Sequence, residues 1–146
     1  MYFVDRKKIE LMLQCLEEVT TIFTNEKQYK TSIEKLALER IVLLMIDSIL
    51  DVGNSMIDGF IMRDPGSYED IIDILMDEKV VLEEQGKQLK EIIKLRKILM
   101  QDYMNMDHEH VESVVNANIQ AIQAYPSRIR NYLEKELGPV SAFSNS

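Results

Sequence analysis

The sequence predicts an all-α protein, an antiparallel bundle of about five helices in one domain. Apolar residues recur at spacings of three and four along nearly the whole chain, which places them on one face of each helix. The 146 residues include only five glycines and three prolines, too few to separate the many short strands of a β-sandwich or barrel. The connections between the helical segments are short, which favours antiparallel neighbours.

The first two helices are predicted from their N-terminal caps. A first helix begins after Asp5, whose carboxylate can cap it, and ends near Thr24. Thr31 and Glu34 have the spacing of a capping box, in which each side chain accepts a hydrogen bond from the other residue's backbone N–H. This pair predicts the start of a long second helix that continues to about Ile61.

A short third helix follows a turn. The sequence D-P-G at 64–66 turns the chain. Ser67, with Asp70 three residues later, caps a helix that ends near Glu78.

The C-terminal third contains the remaining helices. A fourth helix is predicted over 82–105 and a fifth over 107–124. Pro126 either kinks the fifth helix or begins a separate short one, and Gly138 with Pro139 ends the helical region. The domain is therefore expected to span 1–137, with 138–146 as a flexible C-terminal tail.

Composition and charge indicate the cellular location of the protein and the classes of partner it can bind. The charged residues at 5–8 stand where a secretory signal needs an apolar segment, and the most apolar stretch, 41–50, is about half the length that spans a bilayer. We expect a cytoplasmic protein that does not enter a membrane. The lone Cys15 cannot form an internal disulfide or a multi-thiolate metal site. A net charge of -8 argues against general affinity for nucleic acids, although a local basic patch can override it.

Arg96 lies in the middle of the apolar face of the fourth helix, at 100° per residue. A buried guanidinium needs an acidic partner, an interface or an anionic ligand, because its desolvation costs several kcal/mol. Asp51 or Asp47 is the expected partner, since both belong to a polar row at helical spacing on the second helix: Asp47, Asp51, Asn54 and Asp58.

A row of lysines follows the flank of the same helix. Five basic residues and one acidic residue between 86 and 101 give this segment a local charge of +4. The row consists of Lys87, Lys90, Lys94 and Lys97, with Gln101 one turn further on. Such a row is either a solvated helix face or, beside a central arginine, a phosphate-binding surface.

Four short segments resemble a known family in their order and spacing. They are A-L-E-R at 37–40, D-V-G-N at 51–54, D-P-G-S-Y at 64–68 and R-K-I-L-M-Q-D-Y at 96–103. Together they resemble the HepT branch of the HEPN-domain proteins, small all-helical ribonuclease toxins whose motif is R-N-x-x-x-H-x-Y near the end of a helix.

This resemblance implies a function and a set of site residues. The family's bundle dimerises so that two motifs face one cleft, and it cuts RNA without a metal or another cofactor. Its partner is a small nucleotidyltransferase antitoxin that in some systems adenylylates the motif tyrosine. By resemblance, Arg96 would contact the scissile phosphate and Tyr103 would be the residue available for modification.

Two positions depart from the family's motif. Lys97 replaces its asparagine and Gln101 replaces its histidine. Cleavage by the RNA 2′-hydroxyl requires proton transfers that suit an imidazole, and a glutamine amide cannot perform them. We therefore expect weak or absent RNase activity. The alternative is a non-catalytic dimeric module for protein interaction or regulation, in which Arg96 is structural; strong salt dependence of RNA binding would separate the two.

His108 and His110 invite comparison with a metal site. Residues two apart on a helix point about 160° away from each other, so one helix cannot direct both imidazoles to one ion. Asp107 before them is a typical N-cap. We interpret this segment as the start of a helix and predict no metal site.

Overall fold

A computed structural model describes residues 2–26 and 28–139. These residues form six α-helices and one short 3₁₀ turn, with no strand among them. The elements are α1 (Arg6–Asn25), α2 (Ser32–Gly59), α3 (Tyr68–Asp77), α4 (Glu83–Gln101), the 3₁₀ turn (Tyr103–Asn105), α5 (His108–Ala117) and α6 (Ile119–Leu137). The predicted all-α class is confirmed.

The predicted caps begin their helices. The Asp5 carboxylate accepts a hydrogen bond from the Lys8 N–H at 3.0 Å. Thr31 Oγ1 accepts from the Glu34 N–H at 3.1 Å, and the Glu34 carboxylate accepts from the Thr31 N–H at 2.9 Å, which completes the capping box. Local side-chain chemistry is sufficient to set these helix starts.

The prediction that the fourth helix reaches residue 105 is wrong. Helix α4 ends at Gln101, and the chain passes through Asp102 into the 3₁₀ turn. Leu99 is the last buried residue of α4, and 100–105 are all exposed. Because most helical stability comes from packing an apolar face, α4 stops where that packing stops.

The break after the fifth predicted helix lies at Asn118, not at Pro126. The Asn118 side-chain amide donates to the Val114 carbonyl at 2.9 Å, and its N–H bonds to the Val115 carbonyl, so Asn118 ends α5. Pro126 lies buried inside α6. The described residues therefore form six helices, because the predicted fifth helix is divided at Asn118. Gly138, at φ 79°, ends α6 at the predicted place; the predicted flexibility of 140–146 lies outside the described residues.

Helix α2 is the centre of the bundle, and α1, α3, α4 and α5 all pack against it. A methyl group at Gly53 would lie 2.5 Å from Cγ2 of Ile71, so the missing side chain at Gly53 allows α3 to approach α2 closely. Tyr125 of α6 is fully buried and donates its hydroxyl to the Ile49 carbonyl of α2 at 2.9 Å; this burial raises the pKa of Tyr125. Because α3 packs against both α2 and α4, this close approach to α2 also places α3 beside α4.

The first and last helices are joined by a charged network. The Arg130 guanidinium of α6 donates to the carboxylates of Glu10 and Glu17 on α1, with four N···O distances of 2.8–2.9 Å. These hydrogen bonds lower the pKa of both carboxyls.

Among the described helices, none combines the length and the apolar character needed to cross a membrane.

Candidate functional site

Arg96 pairs with Asp47, one of its two predicted partners, but the predicted burial of this pair is wrong. Its side chain is 32% exposed, and its Nε lies 3.7 Å from the Asp47 carboxylate, which is itself 48% exposed. Asp51 is exposed and makes no ion pair among the described residues. Met100, one turn after Arg96 on α4, is also exposed, and so is Tyr103 in the 3₁₀ turn beyond the helix. The apolar face of α4 is therefore uncovered at its C-terminal end, and the guanidinium reaches solvent there.

The guanidinium instead contacts an aromatic ring. The Arg96 Cζ lies 4.8 Å from the centre of the Tyr68 ring, within the range of a cation–π interaction. Tyr68 is the first residue of α3. Ser67 caps this helix, and the close packing at Gly53 holds it against α2. Asp47 and Tyr68 thus orient Arg96 without covering it.

Arg96 opens into a cavity of about 620 Å³ between the first turn of α3 and the last two turns of α4. Three cations and one carboxylate line it together with a tyrosine and an amide: Lys94, Arg96, Lys97, Glu69, Tyr68 and Gln101. The excess of positive charge and the nearby aromatic ring suit a ligand that carries phosphate.

The structure divides the lysine row into two parts. Lys94 and Lys97 line the cavity, whereas Lys87 and Lys90 do not. Lys90 forms a 2.8 Å ion pair with Asp73 of α3, which raises the pKa of Lys90, and Lys87 lies 3.7 Å from Glu83. Within 2–26 and 28–139, Lys97 is the lysine of the row that makes no ion pair.

The remaining motif positions lie at the end of α4 and just beyond it. Gln101, its last residue, lines the cavity with Arg96 and Lys97. Tyr103 lies two residues beyond, in the 3₁₀ turn, is 67% exposed and is absent from the cavity wall. The motif therefore places its first and third members, Arg96 and Gln101, on one cavity and its tyrosine in solvent.

The sequence did not single out Tyr68 as a site residue. It lies 28 residues from Arg96 along the chain, and only the packing of α3 on α4 brings the two together. The available signal was an aromatic residue at the first position of the helix, directly after the Ser67 cap.

The histidines lie elsewhere. The Asp107 carboxylate accepts from the His110 N–H at 3.0 Å, so the predicted cap is confirmed. His108 Nε2 lies 2.8 Å from the Glu39 carboxylate and joins α5 to α2. Neither histidine lines the cavity, and the described residues contain no cluster of three or more metal-ligating side chains.

Comparison with known proteins identifies the family. The family described as Ribonuclease HepT-like matches residues 12–129. A Bacillus subtilis strain 168 protein named "Putative RNase YutE" is 54% identical over 143 residues, which cover 98% of this chain and 99% of that protein. Its solved structure, titled a cytosolic protein of unknown function, covers 98% of this chain and 100% of its own, with a TM-score of 0.94.

More distant solved structures share the fold. A tri-AMPylated Shewanella oneidensis HEPN toxin in complex with an MNT antitoxin matches with a TM-score of 0.71 at 17% identity, over 90% of this chain and 99% of that one. A toxin–antitoxin structure with AMP-PNP matches with a TM-score of 0.69 at 17% identity, over 88% and 99%. The family model and the YutE identity confirm the resemblance inferred from the four short segments. The chain belongs to the HepT-like ribonuclease family.

Proposed function

We propose that this protein is a HepT-like RNA-binding protein of a toxin–antitoxin system, in which cleavage of RNA is weak or lost. One observation carries the proposal: the open cavity joins Arg96 and Lys97 to Gln101, the position of the family's histidine. Arg96 offers a planar set of N–H donors to a phosphate, and Lys97 adds a point charge one residue away.

The chemistry at Gln101 limits the rate. An amide can donate a hydrogen bond to RNA, but it cannot take a proton from the 2′-hydroxyl or give one to the leaving oxygen. Loss of one such group typically costs about 10²- to 10⁴-fold in rate. Arg96 can still bind and polarise the phosphate, so the protein keeps RNA binding where RNA cleavage is weak or lost.

The proposed partner is a nucleotidyltransferase antitoxin. One structural neighbour, at 17% identity, is a tri-AMPylated HEPN toxin in complex with an MNT antitoxin. Tyr103 is exposed in its 3₁₀ turn. This exposure supports the proposal that the antitoxin adenylylates Tyr103. YutE is described as a cytosolic protein, which supports a cytoplasmic location for this one.

We further propose a homodimer that forms through one face of α2. This face is apolar near its start, with Ile33 and Leu36 exposed, and acidic near its end, where Asp51 and Asp58 are exposed. Arg40 lies between the two parts. Two copies packed antiparallel about a two-fold axis bring each Arg40 towards the acidic part of the other α2, so that the face is complementary to itself.

Light scattering at tens of micromolar should give twice the 17.0 kDa of one chain. The Arg40→Glu variant should shift the mass towards one chain, because it adds like charge opposite the acidic part of α2. Lys35→Glu makes the same charge change away from this face and should remain dimeric. A native mass of 17.0 kDa, independent of concentration, would exclude the dimer.

Salt dependence of RNA binding tests the proposed function. We expect native protein to bind single-stranded RNA with an affinity that falls as salt rises, and Lys97→Gln to reduce the slope of log K against log salt by about 0.7, the value for one phosphate contact. Lys87→Gln removes the same charge outside the cavity and should leave the slope unchanged. RNA binding that is absent, or insensitive to Lys97→Gln, would favour the non-catalytic interaction module.

A further inference from the structure

The Tyr68 side chain is held by a rigid turn. Tyr68 is 51% exposed. The Asp70 carboxylate accepts two hydrogen bonds from the Arg63 guanidinium, at 2.8 and 2.9 Å, and one from the Gly66 N–H at 2.8 Å. Ser67 Oγ accepts from the Asp70 N–H at 3.1 Å. These contacts fix the backbone on both sides of the residue that presents the ring.

Two cavities of different character meet at this ring. The first, of about 620 Å³, contains Arg96 and the two lysines described above. The second, of about 410 Å³, also borders Tyr68 and Ser67, and it is completed by Asn54, Pro65, Gly66 and Ile71. No charged side chain lines the second cavity, in which an amide and a hydroxyl accompany apolar atoms.

We propose that Tyr68 is the stacking platform for one RNA base, which occupies the Asn54 side of the ring while the adjoining phosphate lies against Arg96 and Lys97. This inference rests on the proposed function and names how the site holds its substrate. A nucleotide has an uncharged flat base beside an anionic phosphate, and the two cavities reproduce that pair of properties across one aromatic ring.

The chemistry of each part fits this arrangement. Unstacked bases of single-stranded RNA bind to aromatic side chains, and each such stack contributes about 1–3 kcal/mol. Asn54 lies at the α3 edge of the α2 face proposed for the dimer, where it borders the second cavity. Its exposed side chain carries both a donor and an acceptor, so it can hydrogen-bond to the edge of a base there. Arg96 already lies over the Tyr68 ring, so the phosphate and the base are held by contacting groups.

Fluorescence anisotropy with a short labelled single-stranded RNA tests the proposal. Tyr68→Ala should weaken binding by about 5- to 150-fold, which corresponds to the energy of one stacked base, with an unchanged salt slope. Tyr68→Phe should retain affinity, and Tyr68→Leu, which keeps apolar volume without an aromatic ring, should lose it. Tyr2→Ala removes a tyrosine of similar exposure, 49%, that borders neither cavity, and should bind like native protein.

An abasic ribose–phosphate chain of the same length separates the base from the phosphate. It carries the same charge, so it should bind native protein and Tyr68→Ala equally. If Lys97→Gln lowers the salt slope while Tyr68→Ala leaves RNA affinity unchanged, stacking is wrong and the proposed function stands. If native protein binds no RNA, both fail. Thermal unfolding of each variant checks that the bundle is intact, and equal losses for Tyr68→Phe and Tyr68→Ala would also overturn the proposal.

Discussion

The Gln101→His, Lys97→Asn double variant should cleave RNA about 10²- to 10⁴-fold faster than the native protein. Gln101 lines the cavity with Arg96, so an imidazole there can reach a scissile phosphate bound by the guanidinium. It supplies the group that transfers protons near neutral pH. Lys97 is one turn away and shares that space, which is why both positions are changed together.

The assay uses purified protein and a mixed-sequence RNA with a chelator present, because the proposed reaction needs no metal. A matched control, Lys87→Asn with Gln88→His, makes the same chemical changes on α4 outside the cavity and should leave the rate at the native level. Native protein that already cleaves as fast as the double variant would show that another residue supplies the proton. A folded, dimeric double variant without activity would favour the interaction module.

Arg96→Ala, made in the double variant, should lower the cleavage rate by about 10²- to 10³-fold, the usual loss for a group that stabilises developing charge. The free energy of unfolding should change by less than about 1 kcal/mol, because Arg96 and Asp47 are both partly exposed and such pairs contribute little. The two measurements are single-turnover cleavage and urea denaturation.

Stability separates a functional arginine from a structural one. Loss of a buried ion pair costs about 3–5 kcal/mol, so a decrease of that size would mean that Arg96 supports the fold. Arg96→Lys keeps the charge and loses the planar set of donors, and should give a rate between those of the parent and the alanine variant. Equal rates for all three would remove Arg96 from the site.

The sequence predicted the starts of helices better than their ends. Asp5, Thr31 and Ser67 act on backbone groups within three residues, so local sequence carries the necessary information. The ends at Gln101 and Asn118 depend on where neighbouring helices stop covering the apolar face and on a competing side-chain hydrogen bond. Periodicity alone does not contain this information.

The same distinction applies to the site. Helical periodicity led to Arg96 and family resemblance to Gln101, and both line one cavity. The burial of Arg96 was overestimated, because a helical wheel assumes that a partner covers the whole apolar face. Tyr68 was missed since its proximity to Arg96 exists only after α3 packs on α4. A lysine row likewise does not reveal that Lys90 is paired with Asp73 on another helix.

The end of α4 at Gln101 also determines the electrostatics of a group placed there. The last carbonyls of a helix carry about half a negative charge, and no basic residue stands in the last turn of α4 to neutralise it. A histidine at this position therefore has its protonated form stabilised by about 0.3–1 kcal/mol, whereas Lys97 one turn earlier repels that form. Replacing Lys97 by asparagine removes one of the three positive charges on this cavity, Arg96 and Lys94 being the others, so positions 97 and 101 together affect the proton affinity of one imidazole.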